Sequence, residues 1–338
     1  AEIASAIVDA VSNDSEAGTL SMSDMANYRA KVGEALCLDY REYKVCGPGP
    51  PAGGMTVLQI LGMLELFDLS AVEVNSAEMI HLFSEASSLA FSDRGTYLAD
   101  PDFVSVPAAT LIGKPYLQQR SSLILKGSMG EAKPGILYDE SQSALPYESA
   151  ESPELMSTTH LSIADEYGNM VSMTSSIENA FGSRLLVNGF LLNNQLTDFS
   201  FSPTDHEGAL VANRIEPLKR PRSSMSPMII FLQGRPRLLV GSPGGARIID
   251  YISRTIVYHL DKALSIEAAI GSPHIINLNR GLELEAGRIS QSTQKALTAR
   301  GHRLTLRSQS SGIHAIAIIN DRLMGAADPR REGTARGE

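Results

Sequence analysis

The spacing of apolar and polar positions changes near the middle of this chain. In 76–92 the apolar residues Met79, Leu82, Phe83, Ala86, Leu89 and Ala90 recur three and four apart, which predicts a helix with one buried stripe. Two more helices are predicted. One is MTVLQILGMLELF, from Met55, after the Gly/Pro-rich turn at 47–54; the other is DMANYRAKVGEAL, with Ser23 as its N-cap. Between Cys37 and Cys46, LDYREYKV reads as strand, turn and strand. Past residue 157 a period of two takes over. Segments 159–165 and 170–177 alternate around Glu166-Tyr-Gly-Asn169, which predicts a hairpin. Further strands are expected at 227–232, 237–241, 312–319 and 322–326, with helices at 246–259 and near 290–299. Strands with a helix layer beside them predict an α/β or α+β sandwich.

Residues 127–157 follow neither period and are rich in Gly, Pro, Ser and Glu. They read as an exposed, mobile segment, serving either as a linker or as a stretch kept accessible because its end must be cut. No internal repeat is visible.

Composition then narrows the function classes. The chain has 338 residues, 43% hydrophobic and 20% charged, enough to bury one or two cores. A net charge of -9 without any Lys/Arg-rich run argues against nucleic acid as a partner. No apolar run is long enough to span a bilayer, and the N-terminus lacks a basic stretch followed by an apolar one. Because the chain opens at Ala1, a removed targeting signal stays an open alternative. The seven histidines are scattered and form no metal-binding spacing, so neither metal nor other cofactor is expected. For Cys37 and Cys46 two ordinary thiols are the favoured reading, with a cross-strand disulfide as the alternative.

The informative chemistry is Thr158-Thr-His160 at the start of a predicted strand, just after the unpatterned segment. A threonine hydroxyl needs an adjacent base to act as a nucleophile. Cutting the chain between Ser157 and Thr158 supplies one, because the freed α-amine, with a pKa near 8, sits on the same residue as the hydroxyl. Gly244 and Gly245, in GSPGGARII between a strand and a helix, let backbone amides approach a developing oxyanion. Ser223 and Ser224 offer neutral hydroxyls to a carboxylate, and Gln195 and Asp198 an amide and an acid to an ammonium. Each of these is by itself an ordinary turn, polar loop or strand end. A Ser-His-Asp hydrolase is disfavoured, since no G-x-S-x-G elbow is present. His160 is expected to pack on the face away from the nucleophile.

Together, TTHLSIADEYGNMVSMTSSI, FGS at 181–183, FLLNNQLTDFS, KRPRSSMSP, GSPGGARII and GAADPR resemble the γ-glutamyltranspeptidase family, in order and approximate spacing, from about residue 19 to the C-terminus. The resemblance implies a four-layer αββα sandwich of the N-terminal-nucleophile hydrolases, an α+β fold, without the N-terminal part of the large subunit. It implies self-cleavage into 1–157, the end of a large subunit, and 158–338, a small catalytic subunit, held as a heterodimer. Thr158 is then the nucleophile, Ser176 the hydroxyl beside it, and Gly244 and Gly245 the oxyanion donors. Ser223 and Ser224 would take the substrate α-carboxylate, with Gln195 and Asp198 on its α-amino group. The implied activity is cleavage of small γ-glutamyl amides such as glutathione, with transfer to water or an amino acid, in the periplasm or outside the cell.

Four departures from the family pattern loosen the substrate assignment. The large-subunit part is short, and the arginine that normally grips the carboxylate lies in the portion not represented. Glu178 stands where an Asn commonly helps bind the amine, Thr197-Asp198 replaces an acid pair, and the loop from Phe199 to Arg220 looks too short for a lid. Alternatives are a glutaryl or cephalosporin acylase-like amidase and an uncleaved, inactive homologue or fragment.

Overall fold

The computed structural model describes residues 2–137 and 157–337. Helices α1 (Glu2–Ser12) and α2 (Met22–Asn27) lead to strands β1 (Ala35–Tyr40) and β2 (Tyr43–Pro48). Four helices follow: α3 (Gly54–Leu64), α4 (Ala77–Tyr97), α5 (Ala108–Leu111) and α6 (Lys114–Ser121). Next come β3 (Thr158–Ala164), β4 (Met170–Ser176), β5 (Leu186–Val187), β6 (Phe190–Leu191), β7 (Met228–Leu232) and β8 (Arg235–Gly241). Helices α7 (Ile248–Leu260) and α8 (Ile266–Gly271) precede β9 (Ile275–Ile276) and β10 (Leu282–Glu285). Helix α9 (Gln291–Ala299) and strands β11 (Leu304–Arg307), β12 (His314–Ile319) and β13 (Arg322–Ala327) complete the order.

One antiparallel sheet of six strands, in the order β1-β2-β7-β8-β12-β13, organises the molecule. Its inner strands β7, β8 and β12 are largely apolar, whereas the edge strand β13 is exposed from Arg322 to Gly325. Leu238 and Val240 point into the core shared with α3 and α7, whereas Leu239 and Gly241 turn toward the β3–β4 hairpin on the other side. Every residue of α3 is buried, since the helix lies between the sheet and α4, and its sequence is accordingly apolar apart from Thr56 and Gln59, the latter donating to Asp93 Oδ2 at 3.1 Å. Each Leu or Ile enclosed there contributes roughly 2–3 kcal/mol. The result is an α+β sandwich: helices, sheet, then a second β layer. In the described residues that second layer is the hairpin, and its outer face is exposed at Leu161, Ile163, Val171 and Met173.

Several expectations need correction. The helix expected from Ser23 through Leu36 is only Met22–Asn27, capped by a Ser21–Asp24 box. It stops because the following residues have nothing to bury: Val32 is 100% exposed, and Ala35 and Leu36 pair in β1 instead. Residues 127–137, expected to be exposed and mobile, include buried Ala132 and Leu137. They are tied down through Met129 N–H to Glu85, Gly135 N–H to Asp93, and the Lys133 carbonyl to Arg120. The remainder of that expected segment, 138–156, lies outside the described residues. Cys37 and Cys46 form a disulfide rather than two thiols, because the β1–β2 register sets them directly opposite, 4.2 Å apart at Cα. The predicted hairpin, the strands at 227–232 and 237–241, the helices near 246–259 and 290–299 and the final strand pair all form, shifted by a few residues at their ends.

Candidate active site

Strand β3 begins at Thr158, and its register pairs Thr158 with Ser176, the last residue of β4. The two hydroxyls meet there. Thr158 Oγ1 donates to Ser176 Oγ at 3.1 Å, and Ser176 Oγ donates to the Ser157 carbonyl oxygen at 3.2 Å. The Glu178 amide donates to the same Ser176 oxygen at 2.9 Å, so this hydroxyl is held from three sides.

The cleft beside this pair is lined by Thr158, Ser176, Glu178, Gln195, Asp198, Ser223, Ser224 and Gly245, with Met225 and Ile248 as apolar wall. Every residue singled out from sequence as catalytic or substrate-binding is thus brought to one place. Gly244 directly precedes Gly245, and Ser157 is bonded to Thr158. Three separate loops converge here. Residues 177–198 bring Glu178, whose carboxylate accepts from Asn194 Nδ2 at 2.8 Å, and Gln195, whose amide donates to Asp198. The 220–227 loop presents Ser223 and Ser224; it is held at Pro51 O by the Ser223 amide (2.9 Å) and at Met225 O by the Gly53 amide (3.0 Å).

The turn after β8 carries Gly244 at φ +143° and Gly245 at φ +60° into a short 3₁₀ turn, and α7 follows. At the φ of Gly244 only glycine is at ease. A Cβ on Gly244 would also lie 2.6 Å from Tyr251 Cε2. The amides of 244 and 245 therefore precede a helix of 13 residues, whose dipole places positive potential at its start.

His160 departs from expectation. It stands two residues from Thr158, so alternation puts it on the same face, not the opposite one. It is buried, bonded to Thr174 Oγ1 and Ser162 Oγ, and burial holds its imidazole down to about pKa 3, so it stays neutral and structural. Sequence reasoning missed Asn194, which braces Glu178, and Arg94, whose Nη2 donates to Ser224 Oγ at 2.7 Å. Asn194 lay within the quoted LLNNQ run, but Arg94 is 130 residues away from its partner and nothing local marks it.

The histidines are less scattered in space than in sequence: His81, Glu85 and His302 meet in the interior. Their polar atoms are occupied within the protein. His81 bonds His302 and the Leu125 carbonyl, and Glu85 accepts from Ser128 and Met129, so the trio ties the turn after α9 to α4.

An α+β sandwich that sets a hydroxyl at the first residue of a strand, beside an amide-bearing turn, has the fold of the N-terminal-nucleophile hydrolases. The cephalosporin acylase from Bacillus halodurans has this fold, with a TM-score of 0.84 at 24% identity over 100% of this chain and 59% of that one. The γ-glutamyltranspeptidase family model matches residues 1–338, and the chain belongs to that family. Among its relatives, the glutathione hydrolase proenzyme of Bacillus subtilis (strain 168) is 35% identical over 95% of this chain and 55% of its own length. The Acylase ACY 1 proenzyme of Pseudomonas sp. (strain V22) is 35% identical over 94% and 54%. The chain spans about half the length of the curated relatives it matches.

Proposed function

We propose that the chain is the catalytic part of a self-processing amidohydrolase and acyltransferase for γ-glutamyl amides such as glutathione. One observation carries this reading: the single hydroxyl of Ser176 accepts from Thr158 Oγ1 and donates to the Ser157 carbonyl oxygen. Such a bridge draws the proton from the attacking hydroxyl and polarises the carbonyl beside it. Thr158 Oγ1 adds to the Ser157 carbonyl carbon, the C–N bond to Thr158 breaks, and the acyl group passes from nitrogen to oxygen. Water then hydrolyses this ester. Ser157 becomes the carboxylate end of the 1–157 piece, and Thr158 opens the 158–338 piece with a free amine and hydroxyl. The pieces remain a heterodimer because β2, from the first, pairs with β7, from the second.

In turnover, the freed amine takes the Thr158 hydroxyl proton, and the oxygen attacks the γ-glutamyl carbonyl. Amides of Gly244 and Gly245 receive the oxyanion. Ser223 and Ser224 hold the α-carboxylate, and Gln195, Asp198 and Glu178 hold the α-ammonium. The amine leaves with the proton, and water or an amino acid takes the acyl group from Thr158. The Cys37–Cys46 disulfide supports export to an oxidising compartment, the periplasm or exterior. Among the described residues no helix is long and apolar enough to cross a membrane.

The test is a denaturing gel with mass spectrometry on purified protein. Two pieces meeting at Ser157/Thr158 are expected, Thr158→Ala stays whole, and Ser176→Ala is cleaved at least about tenfold more slowly. A wild-type chain that stays whole indefinitely defeats the reading. A second reading, an acylase for glutaryl side chains, is favoured by the likeness to the Pseudomonas acylase. Direct comparison of γ-glutamyl-p-nitroanilide with a glutaryl amide separates the two.

A further inference from the structure

A buried cation stands one hydrogen bond behind the cleft. Arg94, near the end of α4, is 4% exposed, and its Nη2 donates to Ser224 Oγ at 2.7 Å. A guanidinium carries donors and no lone pair to accept with. The Ser224 oxygen is therefore the acceptor in this bond, and its own hydrogen must go to another partner. Ser224 lines the cleft, and its backbone carbonyl is already taken by Ser226 Oγ at 2.7 Å. The pairing is held firmly. Arg222 Nη1 donates to the carbonyls of Arg94 (3.1 Å) and Gly95 (3.2 Å), fixing the end of α4 against the loop that carries Ser224. The Arg94 guanidinium also lies over the Phe91 ring, 5.8 Å from its centroid.

We infer that Arg94 is a positioning residue: by occupying the Ser224 oxygen it makes that hydroxyl a dedicated donor to the cleft, and so sets a preference for acyl groups bearing a carboxylate. A hydroxyl that accepts from a cation is a stronger donor on its other side, because the two bonds polarise each other. An incoming anion gains from this stronger donor; a neutral or cationic group in the same place does not. This inference rests on the reading of Ser223 and Ser224 as the carboxylate subsite.

Three p-nitroanilides tested on the full chain separate the possibilities: γ-glutamyl, glutaryl (carboxylate without α-amine) and 4-aminobutanoyl (amine without carboxylate). For Arg94→Met, KM for the first two rises about 10- to 100-fold, the range of one charge-assisted hydrogen bond, while kcat stays within about twofold. KM for the 4-aminobutanoyl donor does not move, cleavage at Ser157/Thr158 proceeds as in wild type, and Arg94→Lys restores most of the lost preference. Should Arg94→Met fail to fold, Arg94→Gln, which keeps a donor without charge, must by itself raise the KM ratio of glutaryl to 4-aminobutanoyl donor by about tenfold. Equal KM increases for all three donors, or loss of self-cleavage alongside them, overturn the role of Arg94. Failure of the wild type to turn over any of the three is a different result, and removes the reading of the site together with the inference.

Discussion

Substituting Gly244 by alanine separates the two demands placed on the turn after β8. The first is conformational: φ is +143°, a region that L residues rarely enter, at about 1–3 kcal/mol. The second is steric. The new methyl would lie 2.6 Å from Tyr251 Cε2, and that ring cannot swing aside freely, because its hydroxyl bonds Gln309 at 2.8 Å and its face lies against His274. Overpacking of this kind costs about 1–3 kcal/mol more. The expected total is about 2–6 kcal/mol, or roughly 3–8 °C in Tm for a chain of this size. Gly168→Ala is a comparison without the clash, since that glycine has φ +85° and open space around its Cβ position, so calorimetry should show Gly244→Ala losing more than Gly168→Ala. If the turn instead relaxes by moving its amides, the loss appears as a drop in kcat of about 10²–10³ with γ-glutamyl-p-nitroanilide. A Gly244→Ala protein as stable as Gly168→Ala and as active as wild type would show that neither the Tyr251 contact nor the amide placement matters.

Two further outcomes are expected. His160 is neutral in the fold, with its pKa lowered to about 3 from 6.5, so its contribution is fully present above pH 6.5 and is lost as pH falls toward 3. The unfolded chain takes up the proton first; urea titrations should show wild type losing roughly 3–5 kcal/mol across that window relative to His160→Gln, and parallel curves would refute the assignment. Reducing the Cys37–Cys46 bond, or replacing both with serine, frees a loop with a sequence separation of 9 and should cost about 2–3 kcal/mol, near 3 °C in Tm; an unchanged melting curve under reductant contradicts it.

The legible parts of this protein were those whose signal is local. A period of two on either side of Glu166-Tyr-Gly-Asn169 defines the hairpin, and the hairpin register alone sets Thr158 opposite Ser176. The candidate site residues each lie in a short polar or glycine-bearing run that alone reads as an ordinary turn or loop, and only the order and spacing of those runs, resembling the γ-glutamyltranspeptidase family, singles them out. What was not readable depends on distant partners. Arg94 looks like any polar residue of a helix until the 220–227 loop arrives against it, and His81 and Glu85 gain meaning only when the turn at His302 closes on them. The helix expected from Ser23 failed for the converse reason: good local propensity in 28–34 meets no surface to bury against, and propensity alone does not sustain a helix.

Gly241 has a mechanical consequence for the whole centre. A methyl there would sit 2.2 Å from His160 Cε1, so the imidazole packs directly against bare backbone, and the strand bearing Thr158 settles as close as that contact permits. Gly241 is also the last residue of the strand that runs straight into Gly244 and Gly245. A few residues of main chain thus gauge the height of the Thr158 hydroxyl and the location of the Gly244 and Gly245 amides, and a single added carbon at position 241 would lift one relative to the other.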